Sequence, residues 1–229
     1  MQRIMKTGLL ITFEGLDGTG KSTQLRRAVH YLRKLGHRVL VTREPGGTRT
    51  GERIRDLLLA AKTGKLAPLA ELALMYAARA QLLEELVRPA LARGEVVVSD
   101  RFNTASFAYQ GYGRGLGTAA VRAFDRVICG KTQPDLTIIL DLDPEQALGR
   151  ARGREAEHRS RPDRIEAQSL AFHRRVRAGY LALARRAPER IKVVRADQSV
   201  AALELEIRAL IQPLVGEKER NSKFENRRS

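Results

Sequence analysis

Five short apolar runs punctuate the chain, separated by longer stretches of helical periodicity. The runs are LLITFE (9–14), RVLVT (38–42), EVVVSD (95–100), LTIILDL (136–142) and IKVVRA (191–196). Each is continuous rather than alternating and rich in β-branched residues, as in strands covered on both faces. Segments near 21–35, 51–61, 68–93, 118–129, 144–152, 163–187 and 200–214 read as helices. This alternation predicts an α/β fold, a three-layer, doubly wound, five-stranded parallel sheet flanked by helices. The 229 residues suit one such domain over 1–214, with a polar, mixed-charge tail over 215–229 that is expected to be disordered. Two helix starts are well marked. Asp143 caps DPEQ (143–146), with Pro144 at the first helical position and Gln146 three residues after the cap. In PDRIE (162–166), Asp163 and Glu166 form a capping box that would open the 163–187 helix and leave 153–162 as a loop.

Chemistry enters directly after the first strand, at GLDGTGKST (15–23). Gly15, Gly20, Lys21 and Ser22 match the spacing G-x-x-x-x-G-K-[ST], in the strand–loop–helix context that a phosphate cradle needs. The glycines let successive N–H groups point at phosphate oxygens, and the next helix adds its positive N-terminal end. Gly15, Leu16, Asp17, Gly18, Thr19, Gly20, Lys21, Ser22 and Thr23 are the expected ATP-binding set. Lys21 would reach the β- and γ-phosphates, and the Ser22 hydroxyl would ligate Mg2+. The third strand ends Asp100–Arg101, suiting Asp100 to orient magnesium through water and Arg101 to clamp a second phosphate. A regulatory GTPase would carry N-K-x-D after a later strand, and the sequence has none.

Further cationic groups suit a second, phosphorylated substrate. Arg43, in TREPGG (42–47), falls at the sheet's carboxyl edge, and Arg55 follows shortly after. Arg79 shares one helical stripe with Leu72, Met75, Leu82, Leu83 and Leu86, so it needs an anion, a ligand or a buried carboxylate as partner. Phe102, Phe107, Tyr109 and Tyr112 cluster in DRFNTASFAYQGYGRG (100–115), which suggests a wall for a flat base.

Net charge narrows the partners to anions: it is +16, and residues 150–195, with fourteen basic and five acidic side chains, hold +9 of it. RARGREAEHRSRPDR (150–164) alone has six arginines, open to three readings: a nucleic-acid grip, a solvated link or part of an active site. The single cysteine, Cys129, reads as a small buried hydrophobe and fits a reducing cytoplasm. No apolar stretch has the length of a signal-peptide core or of a membrane span.

Taken in order, FEGLDGTGKST, TREPGG, YAARAQ, DRF…SFAYQG, PDLTIILDLDP and DRIE…F…Y resemble the bacterial thymidylate kinases over about residues 8–210. The resemblance implies a nucleoside-monophosphate kinase fold, usually a homodimer, and the reaction ATP + dTMP → ADP + dTDP with Mg2+. It implies that Arg43, Arg55 and Arg101 hold the dTMP phosphate and that Arg79 contacts the thymine edge. Ser106 and Gln110 would lie near the base, Tyr109 would crowd the sugar 2′ position, and Asp17 would approach the 3′-hydroxyl and the magnesium. Met75 stands where the family commonly has a stacking phenylalanine. The segment about 150–162 occupies the position of the family's mobile lid. The phosphate loop itself has no arginine, so the catalytic charge would come from the lid, from Arg154 or alternatively Arg159 or Arg161. Arg150 would flank adenine, near ADQS (196–199). No specific nucleic acid and no membrane is expected as partner. Competing readings are another small-molecule kinase on this fold and a nucleic-acid-dependent ATPase, the latter predicting steep salt dependence.

Overall fold

Alternate residues of the central strands turn to opposite faces of the sheet, and both faces are apolar. Leu9, Ile11, Phe13, Val96, Val98 and Ile138 join one buried cluster, while Leu10 and Val97 join another. That is the burial a parallel sheet between two helical layers requires. The computed structural model describes residues 8–60, 63–158 and 163–225, with 154–158 and 216–225 as backbone alone. Its strands are β1 (Leu9–Glu14), β2 (Val39–Arg43), β3 (Val96–Asp100), β4 (Leu136–Asp141) and β5 (Ile191–Arg195). They form one parallel sheet in the order β2-β3-β1-β4-β5, each within a residue or so of its predicted bounds. Thr12 and Thr137, both buried between strands, satisfy each other through a 2.9 Å hydrogen bond.

The helices are α1 (Lys21–Lys34), α2 (Arg49–Leu59), α3 (Pro68–Leu82), α4 (Arg88–Ala92), α5 (Asn103–Ser106), α6 (Gly117–Ile128), α7 (Pro144–His158), α8 (Leu170–Arg186) and α9 (Val200–Glu225). A π-helical stretch, Leu83–Val87, joins α3 to α4, and another, Phe107–Gly113, continues α5. Residues of α1, α8 and α9 (Leu25, Leu32, Val176, Tyr180, Ile207) pack on the face of Phe13. Leu72, Tyr76 and Leu82 of α3 pack on the face of Leu10.

Four expectations need correction. Helix α7 runs to His158 instead of ending near 152, so part of the expected loop is helical. Residues 151–158, ARGREAEH, are mostly good helix formers with nothing to stop the helix. The capping box is present, Asp163 Oδ1 accepting from the Glu166 N–H and Glu166 Oε2 from the Asp163 N–H, yet it closes a single turn. The helix proper starts at Leu170, where Ser169 Oγ accepts from the Phe172 N–H, a second cap that ends the first. Residues 103–113 are helical although no helix was expected, because glycine and aromatic residues are poor helix formers on their own. Helix α9 continues past residue 214 to Glu225.

At the carboxyl end of β1, Glu14 is fully buried. It accepts hydrogen bonds from the Phe102 N–H (2.9 Å) and the Tyr180 hydroxyl (2.7 Å), tying β1 to α8 and to the link between β3 and α5. Burial pushes its carboxyl up to about 7, against the opposing pull of Arg101 and of these two donors. The next link residue, Arg101, has φ 70°, left-handed for a residue with a side chain. Its N–H donates to the Phe13 carbonyl (2.9 Å), and its carbonyl accepts from Ser99 Oγ (2.6 Å).

Because the folded pKa of Glu14 lies above the unfolded one, its favourable contribution is complete below about pH 4.5 and is lost as pH rises through about 7. Glu14→Gln keeps an acceptor for Phe102 and removes the titration. The variant should therefore gain stability relative to wild type across that window, by up to about 3 kcal/mol, in urea melts taken at both ends. A difference that does not change with pH would show that Glu14 titrates as an ordinary carboxyl.

Candidate active site

The loop between β1 and α1 is shaped by close backbone approaches. A Cβ on Gly15 (φ +129°) would lie 2.5 Å from the Leu140 carbonyl oxygen, and one on Gly18 (φ +84°) would lie 2.0 Å from that of Ala147. Gly15 thus seats the loop on β4, and Gly18 seats it on α7. Helix α1 starts from Gly20 with no side-chain cap and no acidic residue in its first turn, leaving its N-terminal donors and positive end for an anion. Lys21 Nζ donates to the Leu16 carbonyl (2.8 Å) and lies 3.3 Å from Asp17 Oδ1. Burial and the nearby Arg101 hold the Lys21 ammonium below its ordinary range. Burial alone would raise Asp17, but Arg101 (2.9 Å) and Lys21 outweigh it and keep the carboxyl well below the usual range.

Two cavities open at the carboxyl ends of β1, β2 and β3. The first holds the loop residues Asp17, Gly18, Gly20, Lys21, Ser22 and Thr23 together with Arg43, Asp100 and Arg101. The second is lined by Met75, Arg79, Phe102, Ala105, Ser106, Tyr109 and Gln110, and by Asp163, Ile165 and Glu166. Asp17, Glu44, Arg55 and Arg101 line both, so the cavities share a charged wall.

Of the partners its stripe position left open, Arg79 has a buried carboxylate. Its Nε donates to Glu44 Oε2 (2.7 Å), and its Nη2 donates to the Phe102 carbonyl (3.1 Å) and Ser106 Oγ (3.0 Å). The guanidinium lies 4.4 Å from the centre of the Tyr76 ring. Burial disfavours its charge, yet Glu44 more than compensates and Arg79 stays cationic. Three buried polar atoms of residues lining this second cavity have no hydrogen-bond partner among the described residues: Arg79 Nη1, Glu44 Oε1 and the Tyr109 hydroxyl. Buried polar groups are normally paired, so a donor, an acceptor and a hydroxyl left open around one cavity point to a polar, flat ligand. Gln110 is held by Glu71 Oε1 (2.9 Å), and Glu71 also ion-pairs with Arg114 and Arg164.

The expected base wall is smaller than the sequence suggested. Phe102 and Tyr109 line the cavity with Met75, whereas Phe107 lines a different cleft and Tyr112 lies against Gly179 of α8. The π-helical run is the reason: at its longer period 109 and 110 share the face of 102, 105 and 106, whereas 107 and 112 do not. Arg43 reaches only the first cavity, paired with Glu52 (2.9 Å), while Arg55 reaches both. Asp163 and Glu166, read from sequence as caps alone, serve both the turn and the cavity wall. Glu44, Glu14 and Tyr180 were missed, since each acts through partners far away in sequence. Arg150 Nη1 donates to the Ala196 carbonyl (3.2 Å), beside 196–199. Arg154 is placed by backbone on α7; Arg159 and Arg161 lie outside the described residues. Ser22 and Asp100 line one cavity with Asp17, a hydroxyl and carboxylates of the hard-oxygen type that fits Mg2+.

The family profile described as thymidylate kinase matches residues 13–207. The chain is 48% identical over 207 residues to the thymidylate kinase of Deinococcus radiodurans, covering 90% of this chain and 98% of that relative. It is 50% identical over 200 residues to that of Alkalilimnicola ehrlichii, covering 87% and 90% respectively. The crystal structure of the Ehrlichia chaffeensis thymidylate kinase superposes with a TM-score of 0.71 at 30% identity, covering 90% of this chain and 98% of the other. By fold, by sequence and by the paired cavities at the end of its sheet, the chain belongs to the thymidylate kinase family.

Proposed function

We propose that the chain phosphorylates dTMP to dTDP with ATP, using the first cavity for the donor's phosphates and the second for dTMP. The observation that supports this division best is the shared wall of Asp17, Glu44, Arg55 and Arg101. Phosphoryl transfer needs two phosphates brought together in line and their charge compensated, and little covalent work from the protein. Lys21 and the uncapped α1 terminus hold the donor phosphates. Arg55 and Arg101 hold the acceptor phosphate, and Arg43 supports it from the first cavity. Arg79 Nη1 reads a carbonyl on the thymine edge, with Ser106 and Gln110 beside it and Met75 on the ring face. Tyr109 crowds the sugar, and Asp17 faces its 3′-hydroxyl.

Ser22 and Asp100 would hold Mg2+, Asp100 through water, and the ion would neutralise phosphate charge when bound. Arg150 flanks the adenine near Ala196. We place the enzyme in the cytoplasm, where ATP is at hand. We assign it a homodimer built on α2, α3 and α6, whose Leu57, Leu69 and Val127 expose apolar surface (46%, 54% and 83%).

Arg154 is our choice for the arginine at the transferring phosphate. Ala147 and Ala151 of α7 lie against Gly18 of the phosphate loop. Arg154 is seven residues beyond Ala147 on the same helical face, about 10 Å further along the axis. It can therefore close on the cradle without leaving the helix.

ADP formation from Mg-ATP with a panel of nucleoside monophosphates tests the assignment, and turnover of dAMP, dCMP or UMP with none of dTMP would sink it. Lys21→Ala should abolish turnover, while Arg101→Ala should chiefly impair the use of dTMP. Arg154→Ala should lower kcat by about 10³-fold with far less effect on ATP binding. If it turns over normally while Arg159→Ala or Arg161→Ala does not, the role passes to those positions; silence in all three removes it from the lid. Val127→Glu should shift the sedimenting species from dimer to monomer, and an unchanged dimer would place the interface elsewhere.

A further inference from the structure

Behind the dTMP pocket, across the same helix, lies a cleft that the kinase reaction does not use. Ser106, Tyr109 and Gln110 face the pocket, while Asn103, Thr104 and Phe107 face the cleft. Helices α6 and α8 form its sides, and Thr137 and Ile191, at the amino ends of β4 and β5, form its floor. It therefore opens at the end of the sheet opposite the phosphate loop. Its volume is about 320 Å³, against about 120 and 140 Å³ for the two active-site cavities, and within the range of small-molecule sites.

Its charges do not balance. Arg122 of α6 and Arg186 of α8 line it with no carboxylate partner among the described residues, and Arg190 has only a loose 3.6 Å contact with neighbouring Glu189. One carboxylate, Asp125, also lines it, but this accepts from Asn103 Nδ2 (3.0 Å), Gln133 Nε2 (3.1 Å) and, more distantly, Tyr76 (3.4 Å). Thr104, a residue only 7% exposed, also lines the cleft and brings a hydroxyl-bearing side chain to it. Three guanidinium groups around a recess suit phosphate oxygens. Phe107, Leu183 and Ile191 supply an apolar wall for the body of the same molecule. A bounded recess of this size suits a small molecule better than the extended track that a nucleic-acid backbone needs.

We propose that the α6–α8 cleft is a second ligand site, binding a small phosphorylated molecule with an apolar body, distinct from the ATP and dTMP sites. The arginines hold the phosphate, the Thr104 hydroxyl hydrogen-bonds the ligand, and Phe107 and Leu183 cover its apolar part.

The test is calorimetric titration of the full chain, with the active site first saturated by a non-hydrolysable ATP analogue and dTMP. The probes are phenyl phosphate and inorganic phosphate. Saturable binding of phenyl phosphate, tighter than that of phosphate alone, is expected to persist with the active site filled. Arg122→Glu with Arg186→Glu should weaken it at least about tenfold, leaving ADP formation from ATP and dTMP intact as a check on folding. Arg33→Glu with Arg53→Glu changes the net charge equally at exposed positions elsewhere and should leave binding unaltered. Thr104→Val, which keeps the shape and removes the hydroxyl, should weaken it further. Absence of saturable binding overturns the proposal, as does displacement by the active-site ligands. Equal loss in both double variants would overturn it too, by reducing the effect to general attraction between a basic protein and any polyanion.

Discussion

The active site hangs from the buried carboxyl of Glu14. One oxygen receives the Phe102 N–H and the other the Tyr180 hydroxyl, so the last residue of β1 fixes the start of α5 and the middle of α8 together. Between β3 and α5 sits Arg101, in a left-handed conformation that costs about 1–2 kcal/mol for a residue with a side chain. The hydrogen bonds of its backbone to Phe13 and Ser99, and of its guanidinium to Asp17 and Tyr180, offset that cost. An arginine held at both its backbone and its head is pre-organised, and a freely rotating one is not. The same junction presents the Phe102 carbonyl to Arg79, so the placement of that guanidinium depends on it as well.

Carboxylates set most of the cationic side chains around the two active-site cavities. Arg79 is set by Glu44, Arg101 by Asp17 and Arg43 by Glu52, while Glu71 gathers Gln110, Arg114 and Arg164 into one buried cluster. The buried pairs, Arg79 with Glu44 and the Glu71 cluster, contribute little net stability because desolvation consumes most of their attraction, and the exposed Arg43–Glu52 pair contributes little because water screens it. Their value is geometric: they hold the guanidinium groups at defined positions before substrate arrives. Arg164 also donates to the Leu58 carbonyl, which docks the 163–168 turn on the end of α2 and brings Asp163 and Glu166 to the cavity. A strongly basic chain can in this way assemble a site from arginines that neither repel one another apart nor collapse onto the nearest acid.

Local signals proved readable and non-local ones did not. The five strands, the phosphate loop and the need of Arg79 for a buried partner follow from neighbouring residues and periodicity, and the structure shows them. The identity of that partner does not follow, since Glu44 is thirty-five residues away. Glu14 looked like the end of a strand because the donors that define it come from Phe102 and Tyr180. The π-helical run at Phe107–Gly113 is invisible to a 3.6-residue period, and its glycines and aromatic side chains argue against a helix until packing on α8 overrides them. The turn at 163–168 shows a subtler failure. Its capping box forms the hydrogen bonds the sequence predicts, yet it does not open the long helix, because Ser169 caps again.

Finding α7 helical to His158 changes what the arginine-rich segment can do. In a loop, any of its arginines could approach the transferring phosphate, and sequence has no means of choosing among them. On a helix the choice narrows, since positions 150 and 154 lie one turn apart while 152 points away from both. Gly18 tightens the constraint: with no room for a Cβ between the phosphate loop and the Ala147 carbonyl, α7 meets the cradle backbone to backbone. A helix seated so closely has little freedom to shift at that contact. On our proposal that Arg154 serves the transferring phosphate, its approach would be a small rotation of α7 against the loop, with travel set by distance from Gly18. Position 154, farther along the helix than position 150, would then travel farther.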